Sequence, residues 1–341
     1  YLFIVLPLVY AFLYSRFWNK RLLESIIFGL TIFLGVNSFY FFVVSIFNFE
    51  LNELVLFIVN VVYCLLIFLI LPKCKNISGE QKKKNDYELM TIVTIILLSV
   101  LFILNLKAFN NGLRLPIPSY TEDASQHFHW VLNSLNLNKL PDGFYPFAFH
   151  GNAWLFISLA TQIFGKTADI VFISNVFALY IWLIIFLTVS LISIIVYDLV
   201  NFSGRNNYIL KVVIPIFVLI LGSVVSIYFV DFGFFSNWLN QLFSLAIIYL
   251  LSRNSSKSMI LFLPLIFGFF FSYSFFIPVL VLFFGYLYLT KKEPIYLHLS
   301  LISLFLSGIF LVELLFTPGT VGYLLTALGG YSTYTILTIL S

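Results

Sequence analysis

Long apolar runs follow one another along almost the whole chain, and this limits the fold more than anything else in the sequence. A spanning α-helix needs about 20 apolar residues. Runs of roughly this kind fall at 1–14, 25–47, 54–71, 89–106, 149–164, 170–197, 212–230, 238–251, 259–289, 296–316 and 321–341. The chain has 42 Phe and 20 Tyr among 341 residues and is only 9% charged. A soluble domain is about 25% charged, so this composition cannot supply a water-facing surface. The expected fold is all-α: a polytopic integral membrane protein with about ten or eleven apolar segments.

Charge orients those segments. Positive residues gather in short clusters between the runs, and loops rich in Lys and Arg stay in the cytoplasm. Arg16, Lys20 and Arg21 mark one such loop, and Lys73, Lys75, Lys82, Lys83 and Lys84 a second. Glu50 and Glu53 lie between them, on the expected outer side. The segment 89–106 then carries the chain out again, so the polar stretch after it is expected to be extracytoplasmic. Arg205, Lys211, Arg253 and Lys257 favour the inside, and Asp231 the outside. These preferences agree when 149–164 lies in the interface without crossing. If it crosses, 198–211 is external despite its charge. The net charge of +4 is small, and its clusters encode orientation, not a nucleic-acid surface.

Three regions result: N-terminal transmembrane helices over 1–106, an extracytoplasmic loop with interfacial helices over 107–165, and C-terminal transmembrane helices over 166–341. The chain begins and ends inside apolar runs, so it is expected to be part of a longer membrane protein in the plasma membrane. The two cysteines, Cys64 and Cys74, show no metal or disulfide spacing.

The polar loop holds the chemistry-bearing residues. Three of the four histidines, His127, His129 and His150, fall there beside Glu122 and Asp123. His127 is four residues after Asp123, so a helix would put both on one face. That pair suits a general base beside a phosphate-holding group, or two ligands of a divalent cation such as Mg or Mn. It also suits an Asx cap opening an interfacial helix at Ala124. Pro141-Asp-Gly143 signals a turn, and Tyr145-Pro146 starts a helix that repeats at His150 and Trp154. That stripe is either an aromatic interface anchor or one wall of a substrate cavity. Arg114 is the loop's only arginine and can pair with phosphate. A further cluster, Asp231 to Gln241, opens a helix that Ser236 can cap. Its Asn237, Asn240 and Gln241 serve either helix–helix hydrogen bonding or sugar and phosphate contact. Glu313 is an acid near the end of an apolar run.

The order Glu122-Asp123-Ala124, then Tyr145-Pro146-Phe147-Ala148-Phe149-His150, resembles the GT-C glycosyltransferases. These multipass enzymes use polyprenyl-phosphate sugars and include protein O-mannosyltransferases and lipid A aminoarabinose transferases. Their motif runs approximately Asp-Glu-Ala-Arg-Tyr, then Pro-Pro-Leu-Tyr-Tyr-Trp-Leu. The resemblance covers about residues 90–200. Family members usually have one helix before this loop, and this chain has about four. The resemblance implies a membrane glycosyltransferase that moves a sugar from a polyprenyl-phosphate donor to an extracytoplasmic acceptor on a cell-wall glycan, lipid or protein. Asp123, with Glu122 beside it, would be the catalytic carboxylate. Arg114, His127, His129, Tyr145, His150, Asp231, Asn237 and Gln241 would contact substrate, and Asp123 with His127 would hold a metal. The competing readings are a transporter or flippase for a lipid-linked saccharide, which needs ionisable residues at mid-membrane, and a non-catalytic membrane subunit of polysaccharide synthesis.

Overall fold

The computed structural model describes residues 2–17, 22–47, 49–71, 183–196, 235–252, 258–272 and 274–316, with the single positions 96, 132, 199 and 213. All regular structure among them is helical. The elements are α1 (Leu2–Phe17), α2 (Leu22–Ile46), α3 (Glu53–Ile70), α4 (Leu183–Val196), α5 (Phe235–Ser252), α6 (Met259–Ser272), a 3₁₀ turn (Ser274–Phe276), α7 (Ile277–Lys291) and α8 (Pro294–Phe316). Helices suit this sequence because each satisfies its backbone hydrogen bonds internally, which lipid cannot do. The windows Glu24–Val44, Glu53–Ile70 and Pro294–Val312 are long and apolar enough to cross a membrane.

α2 is the central post. It packs against α1, α3, α5 and α6. Two glycines allow the closest approaches. A Cβ on Gly29 would lie 2.5 Å from the Ala11 backbone nitrogen, and one on Gly35 would lie 2.5 Å from the Pro264 carbonyl oxygen. Lipid is as apolar as leucine, so helices associate in membranes largely by such close backbone packing. Aromatic rings fill the rest: Phe42 meets Phe267 and Phe270 with centroids 5.3 and 5.6 Å apart, and Phe28 meets Tyr249 at 4.7 Å. α4 belongs to the same core through Ile184, Leu187, Leu191 and Ile194.

Named contacts fix the helix directions. α1 runs antiparallel to α2, because Tyr14 meets Phe28 while Tyr10 meets Phe33. α3 is also antiparallel to α2, since Asn52 bonds Tyr40 and Asn60 bonds Asn37. α6 is parallel to α2, with Gly35 at Pro264 and Phe41 at Phe271. α5 opposes α6, as Phe243 packs on Gly268 and Tyr249 on Phe28.

The run 259–289 is not one helix. It breaks at the 3₁₀ turn, and α7 returns along α6, bringing Phe284 within 6.5 Å of Phe262, centroid to centroid. Pro278 stands in the first turn of α7 and has no N–H to donate to the Ser274 carbonyl, which suits a helix start here better than an unbroken ladder. Ser272 Oγ instead bonds the Gly268 and Phe269 carbonyls at 2.7 and 3.1 Å and closes the last turn of α6. α6 and α7, of 14 and 15 residues, are each only about 21–22 Å long. α8 then runs back along α7, held by Ser300 Oγ on the Val281 carbonyl at 3.1 Å.

Pro264 sits inside α6 and leaves a second carbonyl without its helical donor, that of Ile260. The Tyr63 phenol, from α3, donates to this oxygen. An unsatisfied carbonyl is costly in an apolar medium, so the proline that would weaken α6 becomes the point where α3 is fastened to it.

These directions place the described charged residues at the two ends of the bundle, with every described Lys and Arg at one of them. One end of the bundle collects the end of α1 with Arg16, the start of α2 with the buried Glu24, the ends of α3 and α5, and the α7–α8 turn with Lys291, Lys292 and Glu293. The other end collects the α2–α3 turn with Glu50 and Glu53, the start of α5, and the end of α8 near Glu313.

Candidate functional site: a buried amide and tyrosine network

The polar groups that the described residues bring together lie between α1, α2 and α3. Asn60 is the hub. Its Oδ1 accepts from the Tyr10 phenol at 3.1 Å, and its Nδ2 donates to Asn37 Oδ1 at 3.0 Å and to the Leu56 carbonyl at 2.9 Å. Both asparagines are fully buried. The chain of donors ends at Asn37 Nδ2, which is buried and finds no acceptor among the described residues. Tyr63 stacks on Tyr10 with centroids 6.1 Å apart. The network therefore joins one residue from each of three helices, with Tyr63 extending it to α6.

At the acidic end, Tyr40 fixes the α2–α3 turn. Its oxygen accepts from the Asn52 backbone N–H at 2.7 Å, and its hydroxyl donates to the Asn52 carbonyl at 3.0 Å. The Asn52 side chain caps α3 by accepting from Leu54 and Val55 N–H at 3.0 and 3.1 Å. Glu50 and Glu53 remain exposed beside it.

The amide network can hold helices in register. Among the described residues it contains no carboxylate and no fixed charge. The sequence carried its signal: one asparagine stands in each of two otherwise apolar runs, 25–47 and 54–71, and such residues face protein, not lipid. An amide carries no titratable proton, so the charge pattern of the chain does not point to them.

Most sequence-predicted site residues lie outside the described residues: Arg114, Glu122, Asp123, His127, His129, Tyr145, His150 and Asp231. So does the segment 149–164. Two fall within α5. Asn237 stands in its first turn, and Gln241 is exposed on its surface while the neighbouring Asn240 is buried. α5 begins at Phe235, so Ser236 lies within the first turn and not before it. Glu313 occupies the last turn of α8. Among the described residues, no three His, Cys, Asp or Glu side chains group as a metal site. The two residues expected to hold a cation, Asp123 and His127, are not among them.

Comparison of the chain with family models, with curated proteins and with solved structures gives no match to any of them.

Proposed function

We propose that the chain is the membrane part of a GT-C-type glycosyltransferase that uses a polyprenyl-phosphate sugar and an acceptor hydroxyl on the extracytoplasmic side. The observation that carries this reading is the order of residues in 107–150: Glu122-Asp123, His127 four positions on, and then Tyr145-Pro146 with His150. The charge asymmetry of the helix bundle supports it. With the end bearing Arg16, Lys291 and Lys292 facing the cytoplasm, the end bearing Glu50 and Glu53 faces out. A single crossing by 89–106 then delivers the polar loop to that outer side.

In this mechanism Asp123 takes the proton of the acceptor hydroxyl as its oxygen attacks the anomeric carbon. The bond from that carbon to the phosphate oxygen breaks, and the polyprenyl phosphate leaves with the electron pair. Arg114, His127 and His150 offset the negative charge that grows on the leaving phosphate. Glu122 assists beside Asp123.

The test is glycosyl transfer, or the corresponding surface glycan, in Asp123→Asn and Glu122→Gln at matched expression. Loss of a general base costs about 10²–10⁴ in rate. The expected result is an inactive Asp123→Asn and a milder defect in Glu122→Gln. Wild-type transfer by Asp123→Asn would overturn the mechanism and shift weight to Asp231 or to a non-catalytic role.

A further inference from the structure

We infer that the α7–α8 turn is a docking surface for the headgroups of anionic phospholipids in the leaflet at the basic end of the bundle. Lys292 adopts a left-handed backbone with φ 56° and closes α7 by donating its N–H to the Tyr288 carbonyl at 2.8 Å. Pro294 then opens α8 at once, so the turn is only two residues long. That geometry crosses the two lysines over neighbouring rings. Lys291 Nζ lies 5.7 Å from the centre of the Tyr296 ring on α8, and Lys292 Nζ lies 5.9 Å from that of Tyr288 on α7.

Both lysines are exposed, and the rings hold each ammonium near the turn without using up its N–H donors. Glu293, the one acid in the turn, is half-buried. Immediately below, Leu289 and Leu297 are exposed apolar side chains, as bilayer-facing residues are. Lysine and tyrosine above leucine is the arrangement that suits a headgroup layer. Lysines near an anionic leaflet are each attracted enough to change binding about fivefold. The choice of lipid over another polyanion follows from this depth: the charges sit where helices meet the bilayer surface.

The experiment titrates the purified full chain with short-chain phosphatidylglycerol and, separately, phosphatidylcholine. Wild type is expected to prefer phosphatidylglycerol, and the preference should shrink as salt rises. Lys291→Gln/Lys292→Gln should weaken phosphatidylglycerol binding about tenfold to thirtyfold and leave phosphatidylcholine unchanged, while Lys291→Arg/Lys292→Arg should keep it. Equal binding of the two lipids by wild type, no effect of salt, or an equal loss for both lipids in the glutamine variant would each overturn the inference.

Discussion

The Tyr63 phenol on α3 donates to the Ile260 carbonyl on α6, the very oxygen that Pro264 deprives of its helical N–H. Tyr63→Phe should therefore leave a buried carbonyl orphaned and cost about 1–3 kcal/mol. Pro264→Ala restores the N–H while keeping the Cβ. In a Pro264→Ala background the Tyr63→Phe substitution should cost distinctly less. A double-mutant cycle by denaturant unfolding in detergent measures the coupling. Strict additivity would show that the two residues do not share the Ile260 oxygen.

Asn60 makes three hydrogen bonds within the interior of α1, α2 and α3. Hydrogen bonds between membrane helices average about 0.6 kcal/mol, and few exceed 1.7. Asn60→Leu should cost roughly 1–2 kcal/mol on that scale, because it also strands the Tyr10 hydroxyl and Asn37. Asn37→Leu/Asn60→Leu should cost less than the sum of the two single changes. If the singles add, the asparagines are not one unit.

Close packing of the helices makes a third expectation. Gly29→Ala forces a Cβ to within 2.5 Å of the Ala11 backbone and should destabilise by about 1–3 kcal/mol. Gly308 on α8 has no neighbouring heavy atom within 4 Å of a built Cβ, and Gly308→Ala should be neutral or stabilising by up to about 1 kcal/mol. Thermal unfolding of the two variants side by side decides it, and the prediction fails if both behave alike.

The reversal at the 3₁₀ turn makes a topological forecast. In a chain lacking Cys64 and Cys74, cysteines placed at Glu50 and at Lys292 should sit on opposite faces of the membrane. An impermeant maleimide should label Glu50→Cys in intact cells and Lys292→Cys only after permeabilisation. Labelling of both in intact cells would mean that α6 and α7 together cross only once.

Much of this architecture was legible in the chain. The runs 25–47, 54–71, 238–251 and 296–316 correspond closely to α2, α3, α5 and α8, because an apolar run in lipid has little choice but to be helical. The two prolines of 259–289 were harder. Both interrupt a hydrogen bond, yet Pro264 is kept inside a helix and Pro278 coincides with a reversal. The difference lies in tertiary partners: Tyr63 rescues the carbonyl freed by Pro264, and nothing local in the sequence names that tyrosine. Asn37 and Asn60 were visible as lone amides, but their pairing depends on how α2 and α3 cross. The candidate catalytic residues, from Arg114 to His150, rest on the sequence argument alone.

Gly29 and Gly35 lie six positions apart on α2, which turns them about 120° from each other around the helix. One groove is filled by α1, made just before α2. The other waits for Pro264, about 230 residues later, a delay of roughly 10–50 s at ordinary rates of synthesis. Assembly is therefore ordered in time: the α1–α2 hairpin packs early, and its second groove stands without its α6 partner until the long stretch between them has been made and inserted.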